Sequence, residues 1–215
     1  MTIELEKIKR ALDWRYATKA FDPKKIISPA HWEVLESSLL LAPSSYGLQP
    51  WKFLIVENKD LRAKLKPVSW NQTQIIDASH LVVFTTLKDI SPDYIREFIK
   101  CTMEVRHVSH ETLVGYENMM IKNITEGMDK EYIRTWNQRQ AYIAMGFLLE
   151  TAALLEIDSV AMEGINPGSY DEILGLEKTP YATVSAVALG YRSSEDSYQH
   201  AKKVRFPKDK IIQKI

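Results

Sequence analysis

The sequence predicts a central β-sheet with α-helices on both faces, formed by one domain that spans residues 1–215. Apolar runs at residues 51–56, 80–86 and 181–191 are typical of strands. Helical patterns lie between the runs, so the strands are not joined as hairpins. Continuous apolar runs also indicate central strands that are covered on both faces.

Composition narrows the range of functions. The chain has 215 residues and is 45% hydrophobic, which is enough for one sizeable core. Lys plus Arg and Asp plus Glu both total 28, so the net charge is zero. A chain without net charge is a poor general binder of nucleic acid or of membrane surfaces, because both are negatively charged. No apolar run reaches the roughly 18 residues that are needed to span a bilayer. We therefore expect neither nucleic acid nor membrane as a partner.

The single cysteine, Cys101, bears on compartment and on chemistry. One cysteine cannot form an intrachain disulfide, and the N-terminus shows no apolar signal-peptide region, so we expect a cytoplasmic protein. No Cys–His signature surrounds Cys101. We therefore expect it to pack as a small core residue and not to act as a nucleophile.

The N-terminal region predicts two helices joined by an extended segment. Residues 3–14 place apolar side chains at helical spacing between charges. Residues 15–21 read as extended or irregular, and Asp22-Pro23 ends them. Ser28 followed by Pro29 is a strong helix start, with an N-cap hydroxyl and a proline at the first helical position, so the second helix runs from there to about residue 41.

The connection at residues 42–51, with the sequence Ala-Pro-Ser-Ser-Tyr-Gly-Leu-Gln-Pro-Trp, carries more chemistry than a helix-to-strand loop needs. An esterase nucleophile is disfavoured because the Gly-x-Ser-x-Gly elbow is absent. Two interpretations remain open. Ser44 and Ser45 could donate hydrogen bonds to a ligand, or their hydroxyls could simply cap the local backbone.

The remaining elements alternate between helices and strands. The longest predicted helix, residues 135–157, is apolar on most of its surface from residue 141, so it should be buried between layers or between subunits. The patterns also predict short helices at residues 59–66 and 71–78, irregular helix at 92–128 and a short strand at 159–162. A turn at residues 166–169 leads into a further small helix that ends at Gly175.

Several constellations allow both a structural and a functional interpretation. His107 and His110 are three residues apart, but no third ligand is arranged nearby, so a solvated helix face is favoured over a metal site. No Gly-x-Gly-x-x-Gly follows a strand, which argues against a dinucleotide-binding Rossmann turn. Glu163-Gly164 directly follows a strand, and the glycine could end it or let the backbone approach a flat ligand.

Two basic pairs lie at opposite ends of the chain, Arg15 with Lys19 and Lys203 with Arg205. Each pair alone is typical of surface charge. Together they could clamp a phosphate, because the guanidinium group offers a planar fork for bidentate contact.

These segments carry a resemblance to a known family. The motifs are Arg-Tyr-Ala-Thr-Lys-Ala-Phe at residues 15–21, Pro-Ser-Ser at 43–45, Gln-Pro-Trp at 49–51, Asn71, Asp-Ala-Ser-His at 77–80, Glu163-Gly164, and Lys-Val-Arg-Phe-Pro at 203–207. In this order and spacing the chain resembles the FMN-dependent nitroreductases, in their NAD(P)H-utilising branch. The resemblance implies an α+β fold, with a central mixed sheet flanked by helices. It also implies an intertwined homodimer with two FMN molecules at the interface, and a helical excursion at residues 89–136 that caps the substrate pocket.

The resemblance further implies the cofactor contacts. Arg15, Lys203 and Arg205 would bind the phosphate, and Lys19 would lie near N1 and O2 of the flavin. Asn71 would form hydrogen bonds with the pyrimidine edge of the flavin. The Glu163 N–H would face N5, where Gly164 allows the backbone to approach the flavin closely. The remaining expected cofactor-binding residues are Tyr16 and Ala17 beside the phosphate and ribityl chain, Gln74 near the pyrimidine, and Pro43, Ser44 and Ser45 from the other subunit.

The implied reaction is ping-pong. NADH or NADPH would deliver hydride to flavin N5, and a nitroaromatic or quinone would then take the electrons. No protein acid or base is required, so no catalytic residue and no metal are expected. The resemblance also leaves room for a flavin or dihydropteridine reductase, a reductive dehalogenase, or an FMN-binding protein without turnover.

Some positions depart from the family pattern. Gln74 stands where close relatives often carry a lysine, which removes a positive charge near the flavin and predicts a lower reduction potential. Tyr16 and Ala17 replace a common histidine and serine, so two contacts beside the phosphate are altered.

Overall fold

The computed structural model describes residues 4–215. Helix α1 is Leu5–Trp14, so the predicted first helix is confirmed, although its predicted first residue, Ile3, lies outside the described residues. Helix α2 is Pro29–Leu40, and the Ser28 hydroxyl accepts a hydrogen bond from the His31 N–H (3.3 Å) as the N-cap pattern predicts.

The sheet contains strands β1 (Trp51–Ile55), β2 (His80–Leu87), β3 (Asp158–Met162) and β4 (Tyr181–Gly190), in the order β1-β2-β4-β3. All three ladders are antiparallel. Within residues 4–215, parallel pairing is limited to the isolated bridge between Ala17 and Ser159, so the expected mixed character is confined to that one contact.

The position of the strands confirms part of the prediction and corrects part. Strands β2 and β4 are central and almost wholly buried, as their apolar runs predict. Strand β1 is an edge strand and not a central one. Its apolar residues are only partly buried within the chain, and the exposed Lys52 among them is the signal of an edge position.

Helices cover both faces of the sheet, as predicted. On one face, α2 and the long helix α7 (Lys130–Leu154) pack against Val82, Phe84 and Val187. On the other face, α3 (Lys59–Leu65) and α8 (Pro167–Ile173) close a second cluster over Leu81, Val83 and Ala186. This two-sided burial is the main source of the fold's stability.

A helical excursion between β2 and α7 has a core of its own. It consists of α5 (Pro92–Arg106), α6 (His110–Met120) and a π-helical turn, Ile121–Glu126. Leu48, from the 42–51 connection, is buried in this core beside Ile95 and Met120. The connection is therefore anchored on the excursion and not only on the sheet.

Helix α7 starts earlier than predicted. It begins at Lys130, five residues before the predicted start, because the Asp129 carboxylate accepts a hydrogen bond from the Tyr132 N–H (2.8 Å) and caps the helix. One side of the helix is buried against the sheet. The opposite side exposes Tyr142, Ile143 and Phe147, which is the face that a position between subunits would cover.

The predicted helix at residues 71–78 is shorter in the structure. Helix α4 is Gln74–Asp77, and the preceding Trp70 and Asn71 both have positive φ, at 53° and 56°. Left-handed backbone cannot continue a right-handed helix. The last helix, α9, is Lys208–Ile211 in the exposed C-terminal segment. None of the helices in the described part of the chain is long and apolar enough to cross a membrane.

Candidate functional site

The two basic pairs from opposite ends of the chain meet at one cavity of about 430 Å³. Arg15 and Lys19 approach it from the segment after α1, and Lys203 and Arg205 from the C-terminal segment. The convergence predicted from the sequence is therefore present. The rest of the lining comes from Asp13, Trp14, Tyr16, Ala17, Tyr198, Gln199, Ala201 and Lys202. We call this space the anion cavity.

The cations of the anion cavity are held close enough to repel one another. Burial, and then the charge of Arg205, lower the pKa of Arg15. Burial, and then the charges of Arg15 and Arg205, lower the pKa of Lys203. The Arg15 Nε is buried without a hydrogen-bond partner among residues 4–215. An anion bound here would relieve the repulsion and supply the missing acceptor.

Lys203 also joins the two chain ends directly. Its Nζ donates to the backbone carbonyl of Arg15 (2.7 Å) and to that of Leu12. These contacts position the C-terminal segment against the end of α1. Lys203 therefore helps to shape the cavity as well as contributing charge.

Asp196 organises the walls of the anion cavity and was missed from the sequence. Its buried carboxylate accepts hydrogen bonds from the Tyr16 hydroxyl (2.9 Å) and from the N–H groups of Lys19 (2.7 Å), Ala20 (3.1 Å) and Tyr198 (3.0 Å). Burial favours the neutral acid, but these hydrogen bonds together outweigh burial and lower the pKa of Asp196.

Arg192 forms a second support behind the cavity that no sequence motif marks. Its guanidinium group lies over the rings of Trp14 (4.2 Å) and Tyr16 (4.6 Å). The same group forms an ion pair with the buried Asp158, at 2.6 Å and 2.7 Å. Two of the aromatic residues that line the cavity, Trp14 and Tyr16, are thereby held from behind.

The outer edge of β3 leads away from the anion cavity. The Ser159 carbonyl accepts from the Thr18 N–H (3.4 Å), so Ser159 directs its backbone groups outward from the sheet. Because outward and inward groups alternate in an antiparallel ladder, Ala161 also faces outward, and Glu163 comes directly after the last residue of the strand. Among the described residues, the N–H groups of Glu163 and Gly164 have no acceptor. Four residues at about 3.3 Å each place Glu163 about 13 Å from Ser159 along this edge.

A second segment is held against the end of β3. The Asn166 N–H donates to the Val68 carbonyl (2.8 Å), and the Gln72 side-chain amide donates to the Gly164 carbonyl (3.2 Å). Asn71 lies between these two contacts in sequence, with an exposed side chain. Two expected ring-binding elements, Asn71 and Glu163-Gly164, are thus brought to one place. Gln74 follows at the start of α4 and is buried.

The need for glycine at position 164 has a different immediate cause from the one expected. A Cβ built on Gly164 would lie 2.7 Å from the Trp70 indole, so the flat group that approaches this backbone within the chain is a side chain. Trp70 is nonetheless 79% exposed. Its ring covers the turn from the solvent side.

The Pro43–Ser45 loop lies apart from the anion cavity, since none of its residues is among those that line the cavity in the described chain. The Ser44 hydroxyl accepts from the Gln49 N–H (2.9 Å), which is the local capping that one interpretation predicted. The Ser45 N–H donates to the Gln140 side chain on α7 (2.8 Å). Ser44 keeps its own hydroxyl proton for a further contact.

Two residues that could suggest other chemistry have ordinary surroundings. Cys101 is exposed on α5, where it lines a surface groove of about 460 Å³, so the expectation of a core position is wrong. A helical residue faces solvent whenever its position falls off the apolar stripe, which an isolated cysteine cannot reveal. His110 pairs with Glu117 (2.7 Å), and residues 4–215 contain no cluster of three metal-ligating side chains.

Comparison with known proteins decides the family. The model of the Nitroreductase family matches residues 12–191. The chain belongs to the nitroreductase family. A Staphylococcus haemolyticus protein, provisionally named a NAD(P)H nitroreductase, is 34% identical over 217 residues, covering 98% of each chain. A Staphylococcus aureus nitroreductase with the same provisional name is 32% identical over 195 residues, covering 86% of each.

Solved nitroreductases confirm the α+β fold. A Bacillus subtilis structure superposes with a TM-score of 0.87 at 16% identity, covering 99% of this chain and all of the other. A nitroreductase from Exiguobacterium sibiricum, solved in complex with FMN, superposes with a TM-score of 0.83 at 19% identity and covers 100% of this chain and 99% of its own. The family resemblance and fold class predicted from the sequence are therefore confirmed.

Proposed function

We propose that this nitroreductase is an FMN-dependent NAD(P)H oxidoreductase that reduces nitroaromatics, quinones or related acceptors. One observation carries the proposal. The anion cavity includes Ala17, which bridges to Ser159 on the outer edge of β3, and the N–H groups of Glu163 and Gly164, which have no acceptor in the described chain, follow about 13 Å from Ser159 along that edge. FMN carries its phosphate and its ring at opposite ends of a ribityl chain, and this edge offers a matching binding group at each end.

The donor set of the anion cavity fits a phosphate dianion. Arg15, Lys19, Lys203 and Arg205 supply the positive charge, and the buried Arg15 Nε supplies a donor that still needs an acceptor. Tyr16 and Ala17 line the same cavity, where the ribityl chain would leave the phosphate.

The ring end of the site is built from backbone donors and a carboxamide. The N–H groups of Glu163 and Gly164 would serve the N5 side, and Asn71 the pyrimidine edge, which presents both donors and acceptors. Gln74 is neutral and buried, so it adds no positive charge there. When bound, FMN supplies the redox chemistry, accepting hydride from NADH or NADPH and passing the electrons to the acceptor by a ping-pong sequence.

The chain's own residues bind and orient, and none is needed as an acid or base. Positive charge from Lys19 near N1 and O2 would favour the anionic reduced cofactor. We also propose that the 89–136 excursion of this single domain caps the acceptor pocket. In support, the Tyr94 and Tyr116 hydroxyls donate to backbone carbonyls of the 42–51 connection, at Leu48 (2.9 Å) and Tyr46 (2.9 Å).

We infer that the active form is a homodimer. Helix α7 leaves Tyr142, Gly146 and Phe147 exposed along one face. Such a stripe of apolar and small side chains is what a second helix packs against. The C-terminal segment is also exposed and carries apolar side chains without cover in the described chain: Val204, Phe206, Ile211, Ile212 and Ile215. In the dimer, Pro43, Ser44 and Ser45 would contact the cofactor that the partner's basic residues anchor.

The lone, exposed cysteine fits a reducing compartment, so we place the activity in the cytoplasm.

The main test of the proposed function is the absorption spectrum of the purified protein between about 350 and 500 nm, followed by anaerobic addition of NADH or NADPH. We expect a flavin spectrum that the nicotinamide bleaches and an acceptor restores.

A panel of acceptors then separates the related reactions. Nitroaromatics and quinones should be reduced faster than free flavin, dihydropteridine or halogenated aromatics. A yellow protein that oxidises neither nicotinamide would be a binding protein without turnover. A colourless protein that cannot be reconstituted with FMN would overturn the proposal.

A further inference from the structure

The Tyr142 side chain, on the exposed face of α7, reaches the end of β3. Its hydroxyl donates to the Glu163 carboxylate at 2.5 Å. The two residues belong to different layers of the fold, and both side chains are accessible to solvent. A short hydrogen bond to a charged acceptor between two exposed side chains requires an explanation, since such groups are ordinarily satisfied by water.

Glu163 has two parts with opposite consequences for a bound ring. Its backbone N–H, like that of Gly164, has no acceptor in the described chain. Its side-chain carboxylate is negative and is attached to the same residue. Without a partner, this carboxylate could turn toward the flavin ring. Its negative charge would then disfavour reduction of the ring, because like charges in a partly desolvated site repel strongly.

The phenol is suited to hold this carboxylate. Burial first, and then the hydrogen bond to Glu163, raise the pKa of Tyr142 to about 12. A group with a raised pKa keeps its proton through the neutral range. Tyr142 therefore remains a donor at neutral pH.

We propose that Tyr142 is a positioning residue, which holds the Glu163 carboxylate on the α7 side and leaves the Glu163 and Gly164 N–H groups directed at the flavin. The inference rests on the proposed function and deepens it. Tyr142 also lies on the face of α7 that we assign to the partner subunit. Only Glu163 would then separate a contact between the subunits at Tyr142 from the reacting edge of the cofactor.

The test compares Tyr142→Phe with Tyr191→Phe. Tyr191 is partly buried outside the site, and its hydroxyl has no hydrogen-bond partner among residues 4–215. Stopped-flow reduction by NADH or NADPH, the flavin reduction potential, FMN affinity and molar mass are measured for both. In Tyr142→Phe we expect reduction to slow about tenfold and the potential to fall, with FMN affinity within about threefold of the parent, because one hydrogen bond to a charged group is lost. Tyr191→Phe should match the parent protein.

A second variant makes the test specific. Glu163→Gln removes the negative charge but keeps the backbone, so adding it to Tyr142→Phe should restore most of the lost rate. A double variant as slow as Tyr142→Phe would overturn the proposal, and so would a Tyr142→Phe protein indistinguishable from Tyr191→Phe. A parent protein that binds no FMN would overturn the proposed function itself, and this inference with it.

Discussion

At the scale of single residues, Arg62 is a buried cation that the proposed site does not use. Its guanidinium group donates to three backbone carbonyls, those of Val56 (2.7 Å), Ala78 (2.6 Å) and Ser79 (3.1 Å). Two of these carbonyls immediately precede β2, and the third immediately follows β1. One side chain thus joins the two ends of a connection, with no carboxylate partner within hydrogen-bond distance in the described chain.

Replacing Arg62 should therefore reduce stability strongly. In Arg62→Met the aliphatic stem is kept, but two buried carbonyls and one partly buried carbonyl lose their donor, and we expect the free energy of unfolding to fall by about 3 kcal/mol or more. Urea denaturation measures the loss. Lys64→Met, at an exposed position in the same helix, is the control and should change stability by less than about 0.5 kcal/mol. A similar small change in both variants would contradict the bonding described.

Asp196 predicts a dependence of stability on pH. Its pKa is lowered in the folded state, so its contribution is present above the unfolded pKa of about 4 and is lost as the pH falls through the folded value. Asp196→Asn should reduce the unfolding free energy at pH 7, and the gap to the parent protein should narrow below about pH 4. Urea midpoints at both pH values measure this, with the exposed Asp209→Asn as control. A gap that is constant with pH would show that the charge is not responsible.

Single residues also mark the limit of prediction from the sequence. The basic pairs could be predicted because Arg15, Lys19, Lys203 and Arg205 stand in recognisable motifs. Asp196 and Arg192 could not, because an isolated charged residue in a polar segment looks the same whether it is buried or solvated. Their roles arise from contacts with residues about 180 positions and 34 positions away.

At the scale of elements, periodicity identified the strands but not their neighbours. Strands β2 and β4 were predicted as central because their runs are apolar throughout. Strand β1 has a similar run, and the charged Lys52 within it is the one local sign of the edge position that the pairing shows. The predicted helix at 71–78 starts later than expected for a local reason, since nothing in the residues at 70 and 71 requires the left-handed backbone that they adopt.

The contact between the Trp70 segment and the turn after β3 gives a prediction at this scale. In Gly164→Ala the new Cβ would meet the indole at 2.7–2.9 Å, so the ring must move. Because the ring is exposed, we expect stability to change by less than about 1 kcal/mol, while FMN affinity falls because both ring-binding segments are disturbed. Denaturation and FMN titration measure the two effects separately.

The control for this variant is Gly115→Ala in α6. Nothing lies within 4 Å of a Cβ at that position, so this substitution should raise stability by about 0.5–1 kcal/mol and leave FMN affinity unchanged. Unaltered FMN affinity in Gly164→Ala would show that the flavin ring does not bind beside Gly164.

At the scale of the whole molecule, the proposed sharing of residues between subunits can be tested by mixing. Arg205→Ala and Ser44→Ala homodimers should each bind FMN more weakly, by about tenfold or more for Arg205, which loses a charge-assisted contact to phosphate. In a heterodimer of the two variants, one site receives Arg205 from one chain and Ser44 from the other. That site should bind FMN with parental affinity. The second site should combine both substitutions and bind FMN more weakly than either homodimer.

Titration of affinity-purified heterodimers, tagged differently on the two chains, measures this result. Half of the sites at parental affinity would support the shared arrangement. Two weakened sites, one with the affinity of the Arg205→Ala homodimer and one with that of the Ser44→Ala homodimer, would show that Ser44 serves the cofactor of its own chain. Arg134→Ala paired with Ser44→Ala is the control, because Arg134 is exposed on α7 outside the anion cavity.

The anion cavity has a consequence for how the protein is made. Its walls come from the two ends of the chain, and the bond from Lys203 to the Arg15 carbonyl spans 188 positions. Closing so long a loop is entropically unfavourable, and a ligand bound by both ends would compensate for it. A ribosome that has released only the first 190 residues presents half of the cavity. Cofactor loading would therefore follow completion of synthesis, and a bound cofactor would mark a chain that is whole.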